Sequence, residues 1–187
     1  MTDTLSDTNV AIFIAQAGTE EVEFTEPKAA VEDADATVDV VGAETGEVRT
    51  VNNDLDDGDT YEVERTFSEV SADDYDALLI PGGAVGADRL RADSDAVQLI
   101  RNVFDAGKPI GVICHGPWTL VEAGVVEGRT LTSYPSLQTD IRNAGGEWVD
   151  EEVVVDEGLV TSRNPDDLPA FCDKVVEEFE EGRHERN

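Results

Sequence analysis

Cys114 and His115 stand side by side in PIGVICHGPW, at the end of the apolar run Ile110 to Ile113 and just before Gly116-Pro117. A cysteine becomes a nucleophile or leaving group as its thiolate, and a helix amino terminus pointing at the sulfur favours that form. A histidine can carry protons near neutral pH. Neighbours on a regular strand point to opposite faces. The two side chains can therefore share a cleft only across a tight turn, which Gly116-Pro117 can supply. On spacing alone a second reading stays open: cysteine is among the most buried residue types, and a core strand can end in an inert one.

Two other segments could complete such a site. The strand-like run Asp76 to Ile80 (DALLI) leads into Pro81-Gly82-Gly83, where glycine lets backbone N–H groups approach a ligand closely. The apolar run VAIFIA is followed within a few residues by Glu20, Glu21 and Glu23. A nucleophile, N–H donors from Gly83 and His115 for a developing oxyanion, and a carboxylate would then lie together. In an open α/β sheet, sites form beyond the carboxyl ends of the strands, where all three segments fall.

The rest of the pattern supplies that sheet. Strands are expected at Val10 to Ala15, Thr37 to Val41, Asp76 to Ile80, Ile110 to Ile113 and Gly128 to Leu131. A strand excursion or hairpin spans Gly46 to about Glu64 around an acidic DLDDGD turn, and VVV and LVTS form a second hairpin. Helices are expected from Glu20 to about Val31 (with Pro27 near the start or kinking it), Ser94 to Ala106, Trp118 to Ala123, Ser136 to Ala144 and Asp166 to Glu181. Alternating strands and helices predict one α/β domain with a mostly parallel sheet. Its core spans about residues 10–180, with an acidic tail at 1–9 and an exposed one at 181–187.

Composition excludes several roles. Thirteen Lys and Arg stand against 43 Asp and Glu, a formal charge of −30. That field repels phosphate backbones and anionic lipid, so neither nucleic acid nor a membrane surface is an expected partner. The acids are dispersed, and only Lys28, Lys108 and Lys174 represent lysine against ten arginines. The combination resembles proteins of salt-accumulating archaea. The start MTDTLSDTNV has no basic, long-apolar leader, and no stretch reaches membrane-span length, so a cytoplasmic protein is expected. Cys114 and Cys172 make no disulfide framework. With two histidines, no CxxC and no paired histidine spacing, neither a metal site nor a cofactor is expected.

PGG, GKPIGVICHGPW, and GRTLTSYPSLQTDIRNAGGEWVDEEVVVDEGLVTSRNPDDLPAF, with EEVE after the first strand, closely resemble the PfpI-type intracellular cysteine peptidase and deglycase family over about Val10 to Phe179. The resemblance implies a flavodoxin-like three-layer sandwich, like that of class I glutamine amidotransferases, assembling as a dimer or hexamer. It places the nucleophile on Cys114, the adjacent histidine on His115 and the thiol-contacting glutamate on Glu23, with Glu20 lining the pocket. A bare carboxylate would raise the thiol pKa, so Glu23 helps only if protonated, and an elevated Glu23 pKa is expected. In relatives an acid from the neighbouring subunit, a few residues past PGG, orients the histidine. Asp88 in AVGADRL is the best match, and a helix N-cap is its alternative role. Gly82, Trp118 and Tyr134 are further pocket candidates. Cys172 reads as core or half-buried, and His184 as solvated tail.

The function implied is hydrolysis of small carbonyl adducts, either glycated side chains or methylglyoxal in glyoxalase III-like chemistry. Alternatives are a peptidase using the same thiol and a non-catalytic oxidative-stress sensor through Cys114. A glutamine amidotransferase needs a downstream His-x-Glu pair, whereas His184 is followed directly by Glu185. The charge yields a first prediction: the thermal midpoint climbs from dilute buffer into multimolar KCl, past the point where screening shortens the Debye length to about 3 Å. A midpoint that is flat or falls with KCl would contradict the salt-adapted reading.

Overall fold

Runs such as Ala77–Ile80 and Ile110–Ile113 are buried throughout, as strands covered on both faces must be. The computed structural model describes residues 4–186; residues 1–3 and 187 of the two expected tails lie outside the described residues. In chain order the strands are β1 (Asn9–Phe13), β2 (Ala17–Glu20), β3 (Thr37–Gly42), β4 (Gly46–Asn52), β5 (Asp56–Val63), β6 (Arg65–Thr66), β7 (Ala77–Ile80), β8 (Ile110–Ile113), β9 (Thr130–Leu131), β10 (Glu147–Trp148), β11 (Val154–Asp156) and β12 (Leu159–Ser162). The helices are α1 (Glu21–Asp33), α2 (Ala84–Ala92), α3 (Ser94–Asp105), α4 (Pro117–Ala123), α5 (Gln138–Asn143) and α6 (Leu168–Glu181).

The main sheet runs β11-β12-β8-β7-β1-β3-β6, parallel except at the edge, where β11 pairs antiparallel with β12. Period-two alternation splits its side chains between two cores. Ala11, Phe13, Leu78, Ile80, Ile110 and Val112 face α3 and α4 through Leu99, Ile100, Val103 and Leu120. Val10, Ile12, Ala77, Leu79 and Ile113 face α1 and α6 through Phe24, Val31, Phe171 and Val175. The architecture is thus a three-layer α/β sandwich with a mostly parallel sheet. The chain passes from β1 to β3 on one side and then returns to β7 on the other. That reversal opens a crevice at the carboxyl ends of β1 and β7, beside β8.

Several expectations change. The acidic turn of the hairpin is shorter than DLDDGD: Asp56–Asp59 lie within β5, and only Asn53–Leu55 form the bend. Asn53 and Asp54 accept the left-handed backbone that it needs (φ 52° and 63°). A strand absent from the sequence reading, β2, pairs with β4 to make a small sheet with β5. Pro27 lies inside α1, where its ring is buried. The amino-terminal segment is not a loose tail at Leu5, which is fully buried. In the carboxy-terminal segment Arg183 and Glu185 are exposed as expected, whereas His184 and Arg186 are half-buried. The guanidinium of Arg186 donates to the carbonyls of Phe104, Lys108 and Glu157 at 2.7–2.9 Å and lies over the Phe104 ring.

Lys108 precedes β8 and is almost fully buried, with Nζ donating to the carbonyls of Ala72 and Tyr75 at 2.6 and 2.7 Å. This ammonium fixes the turn before β7 to the start of β8, and so the spacing of the two strands that carry the site. Lys108→Met strands both carbonyls, at a cost of about 3 kcal/mol. Thermal melting should show a drop of about 6–12 °C. Lys174→Met, which removes only an exposed pair with Glu177, should leave the midpoint in place.

Candidate active site

β8 ends in Ile113, and the next residue turns sharply. Cys114 has φ 63°, a left-handed conformation that is rare outside glycine, asparagine and aspartate. Three contacts hold it there. Its N–H donates to Ser162 O of β12 at 3.0 Å, its carbonyl accepts from Tyr134 N at 2.7 Å, and Gly116 N closes the turn onto Ile113 O at 2.9 Å. A Cβ at Gly116 would fall 2.7 Å from Val112 and 2.9 Å from Ile113 O, so the turn requires glycine there. Such backbone strain, overdetermined by its surroundings, is characteristic of functional positions. The turn also solves the side-chain problem: Cys114 Sγ and His115 Nδ1 lie 3.2 Å apart.

Glu23 comes from the first turn of α1 and is fully buried. Gly82 N donates to its Oε1 at 3.0 Å. Its Oε2 is buried without a partner of good hydrogen-bond geometry, yet the carboxyl and the Cys114 thiol sit close enough to shift one another's titration. Gly82 permits this approach, because a Cβ there would meet Glu23 Oε1 and Cys114 Cβ at 2.5 and 2.7 Å. Gly83 (φ 88°) presses against the Gly18 carbonyl, and its N–H and that of His115 lie near enough to the sulfur to act against the rise of the thiol pKa. The structure therefore brings Cys114, His115, Glu23, Gly82 and Gly83 together.

Burial pushes the Glu23 carboxyl up to about 8, reinforced by the nearby Glu20 charge and opposed by the contacts with Cys114 and Gly82. The carboxyl is thus mostly neutral at pH 7. Burial, then the Glu23 charge, push the Cys114 thiol up as well, against the lowering effect of the Gly83 and His115 N–H groups. The helix that follows the sulfur, α4, is only seven residues long, and burial sets the direction of the shift. His115 is lowered by burial, so its imidazole rests neutral and can take a proton.

The outer candidates have other work. Both oxygens of Glu20 are engaged by the hairpin bend, accepting from Asn53 N at 2.6 Å and Asp54 N at 3.0 Å. Asp54 Oδ1 in turn accepts from Ala84 N at 2.7 Å, which ties the bend to the segment after Gly83. The sequence reading missed this strap; the one signal was an Asn-Asp pair, tolerant of left-handed backbone, inside a hairpin. Tyr134 stacks on His115 (4.4 Å between ring centres), and Trp118 meets it edge-on while donating Nε1–H to Asp140. Asp88 does not cap a helix: Gly83 holds that position on α2 and Asp93 caps α3. It is exposed on α2, in a groove with Val85, Arg89 and Trp118. Among the described residues no hydrogen bond or ion pair joins it to His115. Cys172 is half-buried on α6, and no disulfide joins it to Cys114.

The DJ-1/PfpI family profile matches residues 8–178. The chain is 47% identical over 119 residues to the deglycase PfpI of Pyrococcus furiosus, covering 64% of this chain and 71% of that protein. It is 42% identical over 153 residues to protein/nucleic acid deglycase 2 of Escherichia coli, covering 81% and 87%. Among solved structures, DJ-1beta of Drosophila melanogaster superposes with a TM-score of 0.82 at 30% identity, covering 96% of this chain and 91% of that one.

A raised Glu23 pKa leaves a signature in stability. Between about 4.5, the ordinary value, and about 8, the native state holds a proton that the unfolded chain has released. Stability should therefore fall as pH rises through that window, by an amount on the order of a few kcal/mol. Glu23→Gln, which cannot ionise, should lose this slope in denaturant titrations at pH 5 and pH 8; equal slopes in both proteins would show that Glu23 titrates normally.

Proposed function

The chain belongs to the DJ-1/PfpI family, and on that premise we propose that it is a cysteine-dependent hydrolase of the deglycase type, with Cys114 as nucleophile. The observation that carries the reading is the surroundings of one sulfur atom: a mostly neutral carboxyl, two backbone N–H groups and a neutral imidazole converge on it. As Sγ bonds to the electrophilic carbon of an α-oxo adduct, its proton passes to His115 Nδ1 across 3.2 Å. The oxygen that gains charge falls to the N–H groups of Gly83 and His115. The neutral Glu23 carboxyl adds no charge beside the sulfur and can donate a hydrogen bond when negative charge develops there. For a methylglyoxal adduct of an amine, the imidazolium returns its proton to the departing amine. The sulfur-bound C1 then gives up its proton and C2 gains one through an enediolate, so that C1 is oxidised as C2 is reduced. Water cleaves the resulting lactoyl thioester, the thiol is restored, and the net products are free amine and lactate. The histidine 3.2 Å from the sulfur favours this use over an oxidation sensor, which needs no proton acceptor.

We further propose a homo-oligomer in which Asp88 of the partner subunit orients His115. Its exposed position on α2 beside the Trp118 groove supports this arrangement. The substrates proposed are small carbonyl compounds, glycated side chains or peptides, in a cytoplasmic setting.

Released amine and lactate from methylglyoxal-treated N-acetyllysine should be followed in concentrated KCl, with a fluorogenic peptide in parallel. Cys114→Ser should lose at least about 1,000-fold in kcat/KM, equivalent to about 4 kcal/mol of barrier. Retention of wild-type rates would sink the nucleophile assignment. Cleavage of the peptide alone would replace deglycation by peptidase activity at the same sulfur.

A further inference from the structure

The segment after α6 was expected in solvent, and its actual course creates a second cluster of reactive groups. The chain turns at Gly182 (φ 77°) and folds back, so that His184 N donates to Gly107 O at 2.7 Å. The imidazole is wedged against Gly158, where an added Cβ would meet His184 Cδ2 at 2.7 Å. Its Nε2 is thereby turned toward α6. It lies 3.3 Å from Glu178 Oε2 and 3.8 Å from Glu181 Oε2. Glu178 and Glu181 are three residues apart and share one helix face.

Glu178 is 6% exposed. Its Oε2 and the His184 Nε2 are both closed to solvent, and neither has a hydrogen-bond partner among the described residues. Buried polar atoms without partners are costly and uncommon, so the pair calls for an explanation. The two atoms do not satisfy one another, because their mutual orientation fails hydrogen-bond geometry. Two buried atoms, each able to offer a lone pair, that lie 3.3 Å apart without bonding to each other are what a shared cation needs. A tetrahedral ion with bonds of about 2.0–2.1 Å sets its ligand atoms about 3.3–3.4 Å apart. The Glu178–His184 separation already has that value, and the ligand atoms of all three residues lie within 4.8 Å of one another. Glu181 is half-exposed and can close the remaining gap by rotating its side chain.

We propose that Glu178, Glu181 and His184 bind a divalent first-row transition ion, with zinc as the reference, which fastens the carboxy-terminal segment to α6. Two carboxylates and a neutral imidazole balance the ion's charge to zero. The imidazole separates this site from the counterions that the acidic surface holds loosely, because nitrogen ligands favour zinc, cobalt or nickel over magnesium and calcium. The fastening matters because Arg186, two residues on, closes over Phe104, Lys108 and Glu157. The site adjoins Gly107, before β8, whereas Cys114 follows the other end of that strand. Binding there is thus separable from the chemistry at the sulfur.

The test uses the full chain carrying Cys114→Ser and Cys172→Ser, so that no thiol competes for zinc, in concentrated sodium nitrate to screen loosely held cations. Calorimetric titration should give one equivalent of zinc, and X-ray absorption should show one imidazole among oxygen ligands. At a hundredfold excess over Kd the thermal midpoint should rise by about 5–10 °C. His184→Ala should abolish both the equivalent and the rise, and Glu178→Gln should do the same. If Glu178→Gln does not fold, Glu181→Gln should weaken binding at least tenfold. A midpoint insensitive to zinc, or binding that survives His184→Ala, would overturn the site.

Discussion

The site depends on a carboxyl and a thiol buried against each other. Glu23 has no exposure to water, Cys114 has little, and among the described residues the carboxyl accepts a hydrogen bond from the N–H of Gly82. An ionised carboxylate there would be poorly paired in a medium that penalises charge, so the proton stays. Everything around the pair is arranged to permit this approach: no side chain at Gly82, a left-handed backbone at Cys114, and β7 and β8 as adjacent parallel strands that bring Gly82 and Cys114 together. The consequence is chemical. In the proposed reaction a protonated Glu23 does not repel electrons gathering on sulfur, and a neutral His115 is free to receive the proton that the sulfur gives up.

Around that pair the structure adds constraint in layers. Ser162 and Tyr134 hold the Cys114 backbone from β12 and from the segment after β9. Tyr134 and Trp118 confine the imidazole between ring faces and edges. The hairpin bend at Asn53 and Asp54 occupies Glu20 and grips the start of α2, which keeps Gly83 against the sulfur. Preorganised donors of this kind need no rearrangement when charge develops. Beneath them, buried Lys108 and the folded-back Arg186 secure the opposite ends of the same strands.

The parts written in local chemistry were legible in the sequence. An apolar run ending in Cys-His-Gly-Pro announces a strand, a turn and a helix start, and Pro-Gly-Gly after DALLI announces a close approach of backbone. Which of Glu20, Glu21 and Glu23 meets the thiol was not legible from spacing. All three acids follow the first strand, and the family resemblance had to choose Glu23. Glu21 in fact serves the hairpin, accepting from Asp59 N and Tyr61 Oη. What escaped the sequence reading was long-range. β2 consists of Ala-Gly-Thr-Glu, with little strand preference, and exists because β4 pairs with it. The final segment reads as a charged tail, and only the carbonyls left open near Phe104 and Lys108 explain why Arg186 and His184 return to the body.

In this structure Glu23 keeps its proton at neutral pH. Carbon-13 NMR of the side-chain carboxyls, with Glu23 assigned by comparison with Glu23→Gln, reads that proton directly. The structure predicts a Glu23 resonance that titrates with a midpoint near 8. A midpoint near the ordinary 4.5 would mean a carboxylate beside the sulfur at neutral pH and would contradict the account.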